Sequence, residues 1–398
     1  MNIQRFLDNV DEFSSRFSCL FPHEEQMHPA RFATWNDLRH LVTNRLNEEA
    51  LILGQTPGGE LVRIVPTPQR PHLGHMLIVG RSQSGKTLNL ATQISNWPGP
   101  VIANDPKDGE VHALTGGIRA KRGRVIVFDP SSGLGNQFDP LRGQETEDKL
   151  FASAKHMLYG PNDLETIFTE RAAKLLTLLF LTAKEINRKA GKEIYHLLPF
   201  VGYLVNFGLN TVAKKIHEIS PWLAMRFLDG EYNPKKDYNN NRFLASCYEM
   251  LPSRLYPLLT ENVVRSFDGS DFTAEEILTS TEPITVYLRW PETELAALSP
   301  VLRLMTTSLS NDLITVYKKA KQEGRAHKLW HLLIAMEEAG RTPVPLLYEQ
   351  VATLAGRDMS IIAVVQSLSQ IDAAFGKARA PLQPETPAPA PAAPDSGK

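Results

Sequence analysis

The stretch HMLIVGRSQSGKTLNLA, residues 75–91, decides the fold of this chain. An apolar run leads into the spacing G-x-x-x-x-G-K-T, which is filled here by Gly80, Gly85, Lys86 and Thr87. Such a loop folds its backbone N–H groups around a β-phosphate, its lysine reaches the β- and γ-phosphates, and its hydroxyl ligates Mg²⁺. The following helix presents its N-terminus to the same phosphates. The residues expected to bind the nucleotide are Gly80, Arg81, Ser82, Gln83, Ser84, Gly85, Lys86, Thr87 and Leu88.

Six short apolar runs have the composition of strands that are buried on both faces. They are rich in valine and isoleucine and lack strict alternation, as expected for a parallel sheet covered by helices. Helical spacing between the runs completes a βαβ pattern, so we predict an α/β core with a mainly parallel sheet. The runs are HMLIVG (75–80), PVIAND (100–105), RVIVFDP (124–130), PITVYLRW (283–290), LWHLLIAM (329–336) and SIIAVVQ (360–366).

Between residues 145 and 280 the strand pattern stops and helix-forming stretches such as TERAAKLLTLLFLTAKEINRKAGK take its place. This composition predicts an all-α domain inserted into the sheet. The tail is rich in proline and alanine, cannot bury a core and is expected to be disordered. The predicted organisation is a helical entry segment (1–45), the first part of the nucleotide-binding domain (46–145), the all-α domain (146–280), the second part of the nucleotide-binding domain (281–378) and the tail (379–398).

Two adjacent carboxylates, Glu337 and Glu338, follow the apolar run in LWHLLIAMEEAGRTP (329–343). Burying carboxylates is costly unless a charge or a metal ion meets them. In P-loop ATPases, an acidic residue at a strand end holds the Mg²⁺ water shell, and its neighbour polarises the attacking water. We therefore predict that Glu337 and Thr87 are metal ligands and that Glu338 is the general base. Glutamate has about 1.5 Å more reach than the usual aspartate, so the exchange either leaves turnover intact or slows it.

Composition excludes several classes of protein. Apolar residues make up 42% of the 398 and charged residues 22%, as in ordinary globular chains. The net charge of −1 means that any nucleic-acid contact must be local. Cys19 and Cys247 lie far apart, which favours a reducing compartment and argues against a zinc site or a disulfide framework. No apolar run approaches the length of a membrane span, and the N-terminus lacks a signal core. These features predict a cytoplasmic protein.

Six segments, taken in order, resemble the TraG/TraD-type coupling ATPases of conjugation and type IV secretion, which belong to the RecA-like FtsK/HerA branch. The similarity covers about residues 28–376. VIANDPKDGE resembles the family's D-P-K-G-E strand end, with Asp108 as an extra residue, and Asp139 stands where asparagine is commoner. Besides the phosphate loop, the segments are ARFATWNDLRHL (30–41), VIANDPKDGE (101–110), VFDPSSGLGNQFDPLR (127–142), YLRWPETELAALSPVLRLMTTSLSNDL (287–313) and MEEAGRTPVPLLYEQVATLAGRDMSIIAVVQSLSQIDAAFG (336–376).

The resemblance implies a homohexameric, DNA-stimulated ATPase that uses ATP and Mg²⁺ and no other small-molecule substrate. It implies that Gln366 senses the γ-phosphate and that Arg357 is an arginine finger for a neighbouring subunit, with Arg341 as second choice. The P-loop alone does not exclude GTP, although no N-K-x-D motif is present. Most relatives carry N-terminal membrane helices, which this sequence lacks, so a membrane-channel component is the expected anchor. The expected location is cytoplasmic or peripheral at the inner face of the membrane.

The function implied is the transfer of DNA, or of a relaxase or other secretion substrate, to a type IV secretion channel. One alternative keeps the motor but gives it a role in chromosome processing, as in the FtsK/HerA branch. The other alternative is a substrate-docking adaptor that binds nucleotide and hydrolyses little. Backbone contacts to DNA need only cations and amides, and the candidate segments are RAKRGR (119–124) and NPKKDYNNNR (233–242), the latter with Tyr238.

Overall fold

The computed structural model describes residues 39, 41–43, 48–68, 72–144, 146–159, 166–341, 351 and 354–370. The predicted entry segment (1–45) lies almost wholly outside the described residues, and the predicted disordered tail (379–398) lies wholly outside them. Both therefore stay predictions. Among the described helices, none is long and apolar enough to cross a membrane.

A six-stranded parallel sheet forms the centre of the molecule, which confirms the predicted α/β core. All six apolar runs form strands, and the strand order is β4-β9-β8-β5-β7-β6. The strand that precedes the phosphate loop is therefore at the edge, and β9 lies between it and β8, the strand that ends in the carboxylate pair. The strands are β4 (Met76–Val79), β5 (Val101–Asp105), β6 (Val125–Phe128), β7 (Thr285–Arg289), β8 (Leu332–Met336) and β9 (Met359–Val365).

Side chains alternate between two cores on opposite faces of this sheet, as the pleat requires. In β5, Val101 and Ala103 join one apolar cluster, whereas Ile102 joins the other. The smaller cluster is covered by two helices, α1 (Lys86–Asn96) and α2 (Glu110–Arg119), through residues such as Leu90 and Val111. Burial on both faces explains why the runs are almost continuously apolar.

The larger core extends without interruption from the other face of the sheet into a set of helices. Eight of these helices lie between residues 147 and 279, and the described part of that range contains no strand. The boundaries proposed for an all-α domain (146–280) remain a prediction. The helices are α3 (Glu147–Leu158), α4 (Ile167–Ala190), α5 (Leu197–Val205), α6 (Leu209–Ile219), α7 (Pro221–Leu228), α8 (Arg242–Leu255), α9 (Glu261–Ser266), α10 (Ala274–Thr279) and, after β7, α11 (Ser299–Gln322).

A small antiparallel sheet, with strand order β1-β3-β2, was not predicted. Its strands are β1 (Val42–Thr43), β2 (Leu51–Gln55) and β3 (Leu61–Ile64). The small sheet is joined to α1 by the Gln93 side chain, whose Oε1 accepts from the Ile52 N–H at 2.9 Å and whose Nε2 donates to the Ile52 carbonyl at 2.6 Å. It therefore packs beside the phosphate-loop helix, where Leu51 enters the smaller core.

Candidate nucleotide and magnesium site

The predicted phosphate loop joins β4 to α1, as its sequence requires. The Gly80 N–H donates to the Val365 carbonyl at 3.2 Å, so the loop starts directly beside the end of β9. Gly85 has φ 84°, a left-handed conformation that favours glycine, and α1 begins at the next residue. Residues 81–85 and Leu88 are exposed, whereas Lys86 is buried. Its Nζ donates to the Arg81 carbonyl at 2.6 Å, so the lysine lies folded into its own loop.

The carboxylate pair meets the phosphate loop at the carboxyl edge of the sheet. Thr87 Oγ1 donates to Glu337 Oε1 at 2.6 Å, which joins residues 250 positions apart in the sequence. Gln366 Nε2 donates to Glu338 Oε1 at 2.8 Å. Both carboxylate residues are nearly inaccessible, at 1% and 2% exposure. The structure thus brings Thr87, Glu337, Glu338 and Gln366 together, as parallel strands that end at one edge allow.

The backbone after β8 turns sharply at Glu338. This residue has φ 49°, in the left-handed region that non-glycine residues seldom adopt. The turn is held by two hydrogen bonds, from the Ala339 N–H to the Val364 carbonyl at 2.9 Å and from the Arg341 N–H to the Glu338 carbonyl at 2.8 Å. Backbone strain of this kind is often associated with functional sites. Here it fixes the side chain of Glu338 toward Gln366.

Lys107 is a member of the site that we did not predict. Its Nζ lies 3.0 Å from Glu337 Oε1 and 3.2 Å from Glu338 Oε1. Burial acts to lower the pKa of Lys107, but hydrogen bonds and charges of the two carboxylates outweigh burial and raise the pKa above its ordinary value. The available signal was its place in the D-P-K-G-E-like strand end after β5, which pairs directly with β8.

The residues present fit a magnesium ion by the chemistry of their donors. Mg²⁺ prefers carboxylate, hydroxyl and phosphate oxygens and keeps several waters. The hydroxyl of Thr87 and the carboxylate of Glu337 supply two such oxygens within hydrogen-bond distance of each other. In addition, the buried Glu337 Oε2 accepts no hydrogen bond from any described residue. A buried carboxylate oxygen without a donor is costly unless a cation binds it.

Asp105, the last residue of β5, has a structural role. Its Oδ1 and Oδ2 accept from the backbone N–H groups of Val111 and His112, at 3.3 and 2.8 Å. Burial raises the pKa of Asp105 to about 6, against the effect of these two hydrogen bonds. The carboxyl group therefore ties the start of α2 to the end of β5, beside the loop that carries Lys107.

The two candidate arginine fingers lie at opposite ends of the sheet. Arg357 comes two residues before β9, at the amino end of that strand, whereas Gln366 follows its carboxyl end. Seven residues of strand span about 23 Å, so the structure does not bring Arg357 into the site of its own chain. Arg341 lies close to the carboxylate pair and forms an ion pair with Glu292.

One residue in each of the two candidate DNA-binding segments is buried: Arg119, the first residue of RAKRGR, and Tyr238 in NPKKDYNNNR. Arg119 is 1% exposed, and its guanidinium donates to Thr285 Oγ1 at 2.8 Å and to the Gly99 carbonyl at 2.6 Å, among other contacts. Tyr238 is 3% exposed, and its hydroxyl accepts from the Asn233 N–H at 2.6 Å. Both side chains are buried and hydrogen-bonded within the fold, so neither supplies a DNA contact, and the two segments stay candidates through their other residues. Lys121, Lys235 and Lys236 are exposed.

Comparison with known proteins identifies relatives along most of the chain. The family described as "Type IV secretory system Conjugative DNA transfer" matches residues 64–381. The conjugal transfer protein TraG of Escherichia coli is 24% identical over 324 residues, which cover 75% of this chain and 49% of TraG, so the chain spans about half the length of the curated relatives it matches.

Solved structures of the plasmid coupling protein TrwB share the fold. The complex with the non-hydrolysable ATP analogue ADPNP has a TM-score of 0.58 at 15% identity, and it covers 90% of this chain and 77% of TrwB. The complex with ADP and Mg²⁺ has a TM-score of 0.56 at 16% identity, with the same coverage. At these identities the likeness concerns the fold alone.

Proposed function

Because the chain belongs to the type IV secretory system family of conjugative DNA transfer, we propose that it is a coupling ATPase. It hydrolyses ATP and uses the free energy to recruit DNA, or a protein–DNA substrate, and to move it to a secretion channel. The observation that carries this proposal is the contact between Thr87 Oγ1 and Glu337 Oε1 at 2.6 Å. That contact supports a site in which a phosphate loop and an acidic strand hold one nucleotide.

We assign each side chain of the site a role that its position allows. Lys86, released from the Arg81 carbonyl, binds the β- and γ-phosphate oxygens together with the backbone N–H groups of the loop. Glu338 accepts a proton from the attacking water, and Gln366, which donates to it, orients that water against the γ-phosphate. Thr87 and Glu337 would hold Mg²⁺, which would neutralise negative charge on the phosphates of the nucleotide. The exposed loop residues 81–85 and Leu88 leave the phosphate cradle open to solvent.

The partners proposed are those that the family needs. We place the chain in a homohexamer at the inner face of the membrane, anchored by a membrane-channel component, with DNA and a relaxase or other secretion substrate as cargo. TraG and TrwB are named as conjugal transfer and plasmid coupling proteins, which supports transfer over a role in chromosome processing. DNA contacts would use exposed cations, since the contacts are sequence-blind.

Steady-state ATP hydrolysis, with and without single- and double-stranded DNA, tests the proposal. We expect turnover by the parent protein to rise with DNA. In Lys86→Ala we expect it to fall by about 10²- to 10³-fold, because an electrostatic contact to the transferring phosphoryl group is lost. Lys192→Ala, which removes an exposed lysine outside both the site and the candidate DNA-binding segments, is the matched control and should keep the parent's rate. A docking adaptor would give a different result. The parent protein would hydrolyse little ATP and would not respond to DNA, and the Lys86→Ala variant would still bind secretion substrates.

Glu337→Asp tests whether the longer carboxylate suits this site. Glu337 Oε1 already reaches Thr87 Oγ1, and aspartate would withdraw its oxygens by about 1.5 Å. We therefore expect turnover to fall by about 10-fold and the Mg²⁺ concentration needed for half-maximal turnover to rise. An Mg²⁺ titration of the hydrolysis rate measures both. If Glu337→Asp is faster than the parent, the glutamate restrains turnover and this expectation is wrong.

A further inference from the structure

We propose that Lys107 is the internal counter-ion of the nucleotide-free site and a positioning residue for Glu338. In the absence of nucleotide its ammonium group bridges the two carboxylates. When Mg²⁺ and nucleotide bind, Lys107 loses its ion pair with Glu337 and retains its ion pair with Glu338. This inference deepens the proposed function. The change of partner on nucleotide binding rests on the proposed ATPase function, whereas the counter-ion role does not.

The geometry places one cation between two buried anions. Lys107 Nζ is 3.0 Å from Glu337 Oε1 and 3.2 Å from Glu338 Oε1, and the lysine side chain is 30% exposed. Two adjacent carboxylates that are nearly inaccessible repel each other and lose hydration, which is costly unless a cation meets them. Lys86 is occupied by the Arg81 carbonyl at 2.6 Å. Lys107 thus supplies the positive charge that these two carboxylates need.

The conformation of the loop before α2 orients the side chain of Lys107 toward the two carboxylates. Asp108 and Gly109 have φ 53° and 87°, two consecutive left-handed residues that reverse the chain directly after Lys107. Arg289 Nη2 donates to the Asp108 carbonyl at 3.1 Å, and a Cβ on Gly109 would lie 2.5 Å from Arg289 Nε. The turn is therefore packed onto the end of β7. Asp108, the extra residue of this strand end, is part of the turn.

The same carboxylate oxygen serves both the lysine and the phosphate loop. Glu337 Oε1 accepts from Lys107 Nζ at 3.0 Å and from Thr87 Oγ1 at 2.6 Å. A divalent cation bound through Thr87 and Glu337 would be close to the ammonium group, and like charges at such distances repel strongly in a buried site. We therefore expect Lys107 to leave Glu337 when the metal binds. Glu338 remains as its partner, which holds the base toward Gln366.

Melting temperatures without nucleotide test the counter-ion role. Lys107→Met should lower the melting temperature by about 3 to 6 °C, whereas Lys107→Arg, which keeps the charge, should stay within about 2 °C of the parent. Lys121→Met, an exposed change after α2, is the control. In a Glu337→Gln background, Lys107→Met should cost less than half as much, because one of the two anions is gone. An equal cost in both backgrounds would show that Lys107 only packs.

Magnesium alone tests the exchange. In millimolar Mg²⁺ without nucleotide, the melting temperature of Lys107→Met should rise by about 2 °C or more, whereas the parent should not respond, because its lysine already fills the place between the carboxylates. Equal stabilisation of both proteins would overturn the exchange. If Lys107→Met alone does not fold, recovery of a folded protein by adding Glu337→Gln supports the charge pairing, and failure to recover rejects it.

Binding of a fluorescent ATP analogue separates this inference from the proposed function. If the parent does not bind the analogue, or Lys86→Ala binds it equally well, the proposed ATPase site fails. The melting experiments still decide the role of Lys107, because they contain no nucleotide. If the analogue binds and depends on Lys86 but the melting experiments show no coupling to Glu337, the inference fails and the ATPase site stands.

Discussion

Replacing Arg357 by alanine is expected to lower ATP hydrolysis by about 10³- to 10⁵-fold, the effect of losing an arginine finger. ATP affinity should stay near that of the parent, because a finger acts on the transition state and the site of the same chain keeps all its parts. Two measurements on the same preparation check these expectations: the rate of ATP hydrolysis, and the binding of a fluorescent ATP analogue. A variant that keeps more than a tenth of the parent's rate contradicts the assignment.

The position of Arg357 requires that this effect arise between subunits. It precedes β9, whereas the carboxylate pair and Gln366 lie beyond the other end of β8 and β9, about 23 Å along the strand. Its side chain cannot cross that distance within its own chain. In a ring of identical subunits, however, one surface of each chain meets a different surface of the next. An arginine on the far edge can then complete a neighbour's site.

Mixing two inactive variants provides the control. A subunit with Arg357→Ala keeps its own phosphate loop, and a subunit with Lys86→Ala keeps its finger. Random mixed rings should regain roughly a quarter of the parent's turnover, because one interface in four combines an intact site with an intact finger. Arg341→Ala, at the near edge and paired with Glu292, is the matched alternative. If it abolishes turnover and Arg357→Ala does not, Arg341 is the finger.

The strands of the central sheet were the feature that the sequence predicted best, because a short, almost continuously apolar run is typical of a strand buried on both faces. The runs that became β4 to β9 are buried on both faces, so their near-continuous apolar character located them to within a few residues. The run at 329–336 was predicted three residues too long at its start. Trp330 instead donates its Nε1 to the Ser280 carbonyl at 2.6 Å, which takes the chain out of the strand before Leu332.

Other features depend on partners that lie far away in the sequence. The hairpin of β2 and β3 follows from Thr56-Pro57-Gly58-Gly59 between two short apolar runs, a turn signal that we did not use. Arg119 resembles its basic neighbours in the sequence, and only the carbonyls around it show that it is buried. Lys107 stands in a recognisable strand-end motif, but only the pairing of β5 with β8 shows that its ammonium group meets the two carboxylates. A sequence gives the type of each side chain, and tertiary pairing decides which cations meet water and which meet anions.

Replacing Glu338 by glutamine is expected to slow ATP hydrolysis by about 10²- to 10⁴-fold, the usual contribution of a general base. The amide has the same shape, and its oxygen can still accept from Gln366 Nε2, which donates to the carboxylate at 2.8 Å. It cannot take a proton from the attacking water. Single-turnover hydrolysis measures the chemical step, and the fluorescent ATP analogue should bind as in the parent or more tightly.

The control is Glu294→Gln, an exposed carboxylate in the loop after β7, which should hydrolyse ATP at the parent's rate. Glu338 is held by the turn at φ 49° and by Gln366 and Lys107, so glutamine should change its protonation chemistry without moving it. If Glu338→Gln instead loses nucleotide binding together with hydrolysis, the residue supports the metal or the fold and another group must be the base. If binding survives and the chemical step alone slows, the two carboxylates have separate tasks, Glu337 toward the metal and Glu338 toward water.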